Sequence, residues 1–325
     1  MNRFEYVRAG SAPEAAALLA EKREAMLKAS GTDLLDRMKS FIDTPSRVVS
    51  LLGAAGLNEI TVKGETTRVG ALVTLAQLAE KINQGPLAAL GHAAGEAATP
   101  QIRNVATVGG NLCQRPRCWY YRLGEVPCLK KGGNTCPAIN GDNRYHAIFE
   151  TAPCPIVHPS NLAGPVVAFD ATIHVQGPKA TRDIAAADFF TLPKADMGRE
   201  NALERDEVLV GVSFPSWAGH RSAYLEGREK ESFDWSLVSA TVVLKMDGMT
   251  CREARVVLGS VAPVPWRSQG AEKVLAGKKI DETVAAEAAA AAFEGAKPLS
   301  GNAYKAKMGR AIAKRAILAA ADWKE

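Results

Sequence analysis

The feature that most constrains this chain is a crowding of cysteine. Five of the six cysteines lie between positions 113 and 154, and Cys251 stands alone. Over the same stretch hydrophobic periodicity stops, and Pro116, Pro127, Pro137, Pro153 and Pro155 interrupt any regular element. Such a segment has no apolar face with which to build a core, so other bonds must hold its shape. Cys118, Cys128, Cys136 and Cys154 are separated by 9, 7 and 17 residues. Paired Cys-x-x-Cys knuckles are absent, which weakens a structural zinc site. Disulfides require an oxidising compartment, for which the sequence carries no signal. An iron–sulfur cluster needs four thiolates, and its ligands tolerate wide spacing where a loop wraps around it. Spacing alone leaves iron–sulfur and zinc level, with unligated loop cysteines as a third reading. Cys113 follows Gly-Gly-Asn-Leu on an apolar stretch and is expected to pack rather than ligate. Cys251, after a Gly-Met-Thr turn, is expected to be structural.

The rest of the chain is ordinary in composition, and that excludes several classes. Its 325 residues suggest two or three domains, each able to bury a core. A 47% hydrophobic and 23% charged composition excludes wholesale disorder and fibrous or coiled-coil architecture. No apolar run reaches the roughly 20 residues that span a bilayer. Met1-Asn2-Arg3-Phe4-Glu5 shows no apolar signal region or twin arginine, so no signal peptide of its own is expected. The net charge of +5 is spread without a basic block, which argues against nucleic-acid binding.

Patterning divides the chain further. Ser11-Ala12-Pro13-Glu14 opens a helix to about Lys22 through a capping-box pattern. Ala25–Lys28, a helical stretch to Lys39 and a strand at Arg47–Leu51 complete a small α/β unit. Glu59–Lys63 and Thr67–Ala71 read as paired strands, and Thr74 caps a helix to about Asn83. Leu87–Ala97 reads as helix, Thr99–Leu112 as loop, and Val166–Val175 as strand. Asp206–Phe214 is one more strand, and the prolines and glycines around 215–219 mark a boundary. Beyond it, strands at Leu237–Met246 and Ala254–Val261, an Ala-rich helix at about 282–294 and an amphipathic helix at about 303–323 form an α+β unit.

Two glycine loops could cradle phosphate. Lys28-Ala29-Ser30-Gly31-Thr32-Asp33 lies between a strand and a helix, where small residues let backbone N–H groups approach an anion. Ala106-Thr107-Val108-Gly109-Gly110-Asn111 offers a similar nest, with Thr and Asn side chains as extra donors. Neither is a Walker motif, and no G-x-G-x-x-G is present. Singly each reads as a capped turn, but together they suit a pyrophosphate gripped from both sides.

Ser30-Gly31-Thr32-Asp33-Leu34, followed by Pro100-Gln101-Ile102-Arg103-Asn104-x-Ala106-Thr107-x-Gly109-Gly110-Asn111-Leu112, resembles the FAD-binding medium subunit of the molybdenum hydroxylases. That family holds the xanthine dehydrogenase, aldehyde oxidoreductase and carbon monoxide dehydrogenase relatives. His158-Pro159-Ser160-Asn161-Leu162 and Ala254–Pro263 look like further family elements, so the resemblance covers essentially the whole chain. It implies an α+β fold, with a two-part FAD-binding domain of the vanillyl-alcohol-oxidase/PCMH type and a smaller α+β C-terminal domain. The parts expected are residues 1–55, residues 56–218 with an iron–sulfur insertion at about 113–159, and residues 219–325. The string Gln114-Arg115-Pro116-Arg117-Cys118-Trp119-Tyr120-Tyr121 is similar to the branch that carries an added [4Fe–4S] cluster, as in the periplasmic aldehyde oxidoreductase and the 4-hydroxybenzoyl-CoA reductase subunit. That likeness favours iron–sulfur over zinc and implies Cys118, Cys128, Cys136 and Cys154 as ligands.

Carried over residue by residue, the resemblance implies that Lys28, Ala29, Ser30, Gly31, Thr32, Asp33 and Leu34 hold the FAD pyrophosphate. Ala106, Thr107, Gly109, Gly110 and Asn111 would complete that grip. Ser160 and Asn161 would reach the flavin side, and Leu203 would pack near the isoalloxazine. Ser30 stands where the family usually has the first glycine, and Asn161 where it usually has Asp. The implied function is electron transfer within a heteromeric hydroxylase. Substrate is oxidised on a large molybdenum-cofactor subunit, and a small subunit with two [2Fe–2S] clusters relays electrons to this FAD and on to an external acceptor. No molybdopterin-binding region is visible, and no residue of this chain is expected to act on substrate. An aldehyde is the first substrate class, ahead of an aromatic-CoA or purine-type compound. A self-contained FAD oxidoreductase and a zinc-stabilised binding module are the readings from other classes. The compartment expected is cytoplasmic, or periplasmic through export with a signal-bearing partner.

Overall fold

A computed structural model describes residues 1–230 and 233–322, and its strands fall into three sheets that follow one another along the chain. The first is built from β1 (Glu5–Arg8), α1 (Ala12–Glu21), β2 (Ala25–Lys28), α2 (Leu34–Lys39) and β3 (Arg47–Ser50). Its strands are parallel in the order β1-β3-β2, a pairing that needs the helical crossovers α1 and α2. The Ser11 hydroxyl accepts the Glu14 N–H at 3.3 Å, while the Glu14 carboxylate accepts from Gly10 N–H at 2.8 Å. The capping box therefore closes one residue earlier than its sequence pattern implies. Ala12, Ala15, Ala16 and Leu19 form the buried stripe of α1.

The second sheet surrounds the region that both glycine loops face. β4 (Ile60–Lys63) and β5 (Thr66–Gly70) form a hairpin, followed by α3 (Leu75–Lys81), α4 (Ala88–Glu96), α5 (Pro100–Arg103) and α6 (Val108–Leu112). After α7 (Trp119–Arg122) in the cysteine-rich segment come α8 (Ala163–Ala168), β6 (Thr172–Gln176), β7 (Thr181–Ala185), α9 (Ala186–Phe189) and β8 (Val208–Phe214). The sheet is antiparallel in the order β4-β5-β8-β6-β7. Leu75, Leu78, Leu90, Leu112, Phe169 and Phe189 are fully buried beneath it.

The third sheet has the order β12-β11-β10-β9, from β9 (His220–Gly227), β10 (Val238–Asp247), β11 (Thr250–Gly259) and β12 (Trp266–Arg267). Val238, Ala240, Val242 and Leu244 face α10 (Gln269–Leu275), α11 (Glu282–Ala292) and α12 (Tyr304–Ala320), while Val243 and Val257 join the core of the preceding part. Burial on both faces explains why β10 reads as a continuous apolar run rather than an alternating one.

Two expectations are corrected. Residues 99–112 are not simply loop: Thr99 caps α5 and Thr107 caps α6. Each helix is a turn or so long, too short to show a helical stripe, and the glycines of α6 have low helix propensity. Residues 166–175 are not one strand either. α8 occupies Ala163–Ala168, and the chain turns at Asp170 with φ +45° before β6 begins. The Val-Val pair reads as β-branched strand, but all six α8 residues are buried, and Gly164 lies against Thr241 of β10 where a Cβ would come within 2.9 Å of its hydroxyl. Tertiary packing overrides propensity at this site. The sequence reading also passed over β7, β9 and α10.

Candidate cofactor site

The first glycine loop joins the end of β2 to the start of α2, and its geometry is that of an anion cradle. Gly31 sits at φ +90°, a conformation that a side chain would strain, and a Cβ there would press on Leu35 and Lys28 at 2.9 Å. The N–H groups of Ser30 through Leu34 have no backbone acceptor among the described residues. A run of unspent donors in a small-residue turn is what a phosphate oxygen requires.

The second loop faces the first across a cleft of about 300 Å³, lined by both loops and floored by Ala71 and Leu72. Here several donors are already committed. Val108 N–H donates to Val73 O, Gly109 N–H to Ala71 O, and Gly110 N–H to the Thr107 hydroxyl, each near 3 Å. Thr107 thus caps its own helix. Gly109 is small for a reason of approach: a Cβ there would sit 3.1 Å from Ala71 Cβ. Asn111 turns its Oδ1 to accept from the Ser160 hydroxyl at 2.6 Å, which fastens the second loop to the third family element. Ser160 N–H donates in turn to His158 Nδ1 at 3.4 Å, and burial holds the His158 imidazole neutral, with its pKa pushed down to about 3.

The cleft continues past Thr32, Asp33 and Gly110 into a cavity of about 220 Å³ that reaches Asn161 and Trp235. Asn161 donates to Glu226 Oε2 at 3.0 Å and lies 3.4 Å from the Tyr224 hydroxyl. Asparagine suits this position because an aspartate would set a second carboxylate against buried Glu226. Leu203 lines the first cleft beside the first loop, and is not among the residues around the Asn161 cavity.

Asp33 has a role that the motif alone does not convey. Its carboxylate accepts from Arg37 Nε at 3.1 Å, Arg122 at 2.7 Å and the Arg115 N–H at 3.1 Å, and pairs with Arg117 at 3.0 Å. Burial pushes its pKa up, but Arg37, Arg117 and Arg122 together hold it below the ordinary value. Buried Glu200 likewise pairs with Arg115 at 2.5 Å and Lys130 at 2.6 Å. These arginines and Glu200 are the site residues that the sequence reading missed. Arg115 and Arg117 stand in its quoted string, but nothing in one sequence tells that their partner is some eighty positions earlier.

The cysteine segment is folded over that cage. Cys118 precedes α7, and burial pushes its thiol pKa up to about 11 despite the nearby Tyr121 and Tyr120 N–H groups. Cys136 precedes a 3-10 turn at Pro137–Ile139, receives the Ala138 and Ile139 N–H groups, and hydrogen-bonds the Cys154 thiol. That contact draws the Cys136 pKa down to about 6 and pushes that of Cys154 up. Cys128 is buried and near enough for its charge to be felt at Cys118, as is that of Cys136. Cys118 and Cys136 thus lie beside backbone N–H groups, and Cys136 is paired with Cys154. Among the described residues no group of three or more His, Cys, Asp or Glu side chains is set to hold a single metal ion. Thiolates are the donor set that an iron–sulfur cluster takes, and this segment holds four cysteines besides Cys113. Cys113 packs against the second core, and Cys251 is buried with its thiol donating to Glu253 O at 3.3 Å.

A cleft between two glycine loops, one of them with unspent backbone donors, suits a phosphate-bearing cofactor. The class of protein follows from the family models that match this succession of sheets. Residues 2–217 match the family model described as the FAD binding domain in molybdopterin dehydrogenase, and residues 222–320 match the CO dehydrogenase flavoprotein C-terminal domain. The chain belongs to this family of FAD subunits of molybdenum hydroxylases. It is 36% identical to the aldehyde oxidoreductase FAD-binding subunit PaoB of Escherichia coli K12 over 281 residues, covering 85% of this chain and 86% of that one. It is 29% identical to the carbon monoxide dehydrogenase medium chain of Hydrogenophaga pseudoflava, covering 98% and 97%. A solved carbon monoxide dehydrogenase from that organism superposes with a TM-score of 0.77 at 28% identity, covering 98% of this chain and 97% of that one. No described helix is long and apolar enough to cross a membrane.

Proposed function

We propose that this chain is the electron-transfer subunit of a heteromeric, molybdenum-dependent aldehyde hydroxylase. Its partners in this reading are a large subunit that oxidises substrate at a molybdenum centre and a small subunit with two [2Fe–2S] clusters. The unspent N–H groups of Ser30–Leu34 are the observation that carries it, because they face a second glycine loop across a cleft of pyrophosphate character. In this assignment Lys28–Leu34 take one side of the pyrophosphate, and Ala106, Thr107, Gly109, Gly110 and Asn111 shape the other. Asn161, beside Tyr224 and Glu226, presents an amide to the flavin end. Bound FAD supplies the means to take electrons singly and to release them singly or in pairs. The residues of this chain hold, orient and shield it. Residues 1–55 and 56–218 are then the two parts of the flavin domain, and 219–325 the C-terminal part.

The thiol set of Cys118, Cys128, Cys136 and Cys154 is assigned to a [4Fe–4S] cluster. The aldehyde assignment rests on likeness to the aldehyde oxidoreductase subunit, the relative with 36% identity. The test is anaerobic stopped-flow reduction of the flavin in the purified complex and in the chain alone. Aldehyde should bleach the flavin only in the complex, and a nicotinamide donor should not bleach the isolated chain. Bleaching of the isolated chain by the nicotinamide donor would favour a self-contained oxidoreductase. An intact complex inert to aldehydes but reduced by a purine or an aromatic-CoA substrate would replace the substrate class.

A further inference from the structure

His146 has no place in the flavin cleft, yet it is buried and specifically aimed. Only 3% of it is exposed, and its Nε2 lies 3.2 Å from Cys118 Sγ. Among the described residues its buried Nδ1 has no well-formed hydrogen bond, although the Asn143 carbonyl lies near the ring. A neutral imidazole carries one N–H, and a thiolate at Cys118 could only accept, which calls for the proton at Nε2. Trp119 and Tyr120 pack around the ring, with centroids 6.1 and 6.3 Å away. The orientation is therefore built into the fold.

Behind His146 stands Lys305 of α12, which is fully buried. Its ammonium donates to Tyr145 O at 3.0 Å and Ser260 O at 2.8 Å, and no carboxylate among the described residues pairs with it. Burial pushes its pKa down to about 7, so its charge depends on an anion lying near. Asn302, just before α12, donates to both His146 O and Ala147 O at 3.1 Å, which fixes this corner of the cysteine segment on the C-terminal part. A buried ammonium with only carbonyl partners is costly unless negative charge lies close by. In the cluster assignment the Cys118 thiolate, on the other side of His146, brings such charge.

We propose that His146 is a positioning residue for the iron–sulfur centre: its Nε2–H donates to the Cys118 thiolate and, with the Lys305 ammonium behind it, raises the reduction potential of the cluster. This rests on the [4Fe–4S] assignment above. Reduction adds one electron to the cluster, with no bond made or broken and no proton moved. The added negative charge is spread over the sulfurs, so an N–H donor at one sulfur and a fixed cation nearby favour the reduced state. Cys118 and His146 line a cavity of about 150 Å³ together with Ser160 and Asn161, the residues assigned to the flavin side.

The experiment is a redox titration of the full chain in its complex, followed by the electron paramagnetic resonance of the reduced cluster, with iron counted on the same samples. The unaltered chain should hold about four irons, as the cluster type requires. His146→Phe keeps the ring and removes the donor, and should keep the iron while its midpoint moves to more negative potential. His146→Gln restores an N–H and should return the midpoint toward that of the unaltered chain. Lys305→Gln removes the cation yet keeps a donor for the two carbonyls, and should also lower the midpoint. If His146→Phe fails to fold or to hold iron, the Lys305→Gln and His146→Gln midpoints decide the matter. Full iron with unmoved midpoints in the iron-bearing donor-less and cation-less variants would overturn the proposal. An unaltered chain without iron would overturn the cluster assignment itself, which is a separate result.

Discussion

Asp33 sits where the first glycine loop meets the cysteine segment, and its carboxylate serves Arg37 from α2, Arg122 from α7 and Arg117 from the loop just before α7. Its side chain and those three arginines are all largely buried, so each needs the others. Removing one partner of a buried pair leaves charge uncompensated, at a cost of about 3 kcal/mol or more. Asp33→Asn is expected to lower stability by about that amount near neutral pH, measured by urea unfolding. The sign with pH follows from the depressed pKa of Asp33. Its contribution is fully present above the ordinary carboxylate value and is lost as pH falls through the folded one, so the gap between the two proteins should close below about pH 4. A gap that persists unchanged in acid would mean that Asp33 acts other than through charge.

At the scale of elements, α11 and α12 approach so closely that Gly309 lies under the ring of Phe293, where an added Cβ would come within 2.1 Å of Cζ. Alanine is the better helix former by about 1 kcal/mol, but overpacking of a tight contact costs about 1–3 kcal/mol. Gly309→Ala should therefore destabilise the chain in urea, despite its gain in propensity. A more stable variant would show that the helices separate freely.

The same scale shows what can be read from sequence. The helices at 12–21 and 75–81 are legible because Ser11 and Thr74 announce them and apolar stripes follow. α5 and α6 are not, because single turns carry no period, and α8 is mistaken for strand because its valines are buried by neighbours far along the chain. The glycine loops and the cysteine-rich segment are legible as motifs through residue type and order. The Asp33 contacts with the cysteine segment, the Glu200 pairs and the His146–Cys118 contact are not, because each joins positions between 28 and 89 residues apart.

For the whole molecule, three sheets in series leave one cleft between the first and second parts, and the cysteine segment closes over one end of it through the Asp33 arginines and the α12 anchor. The match to FAD subunits over residues 2–217 agrees with the donors found there. The proposed function requires FAD in this cleft with its pyrophosphate on the first loop. Its most direct test is the flavin content of the purified chain and of Gly31→Val, with folding checked by circular dichroism. The unaltered chain should release about one FAD, and the folded variant almost none, since valine at φ +90° both strains the loop and fills the cradle. A folded Gly31→Val chain with its full flavin, or an unaltered chain that binds none, would contradict the account.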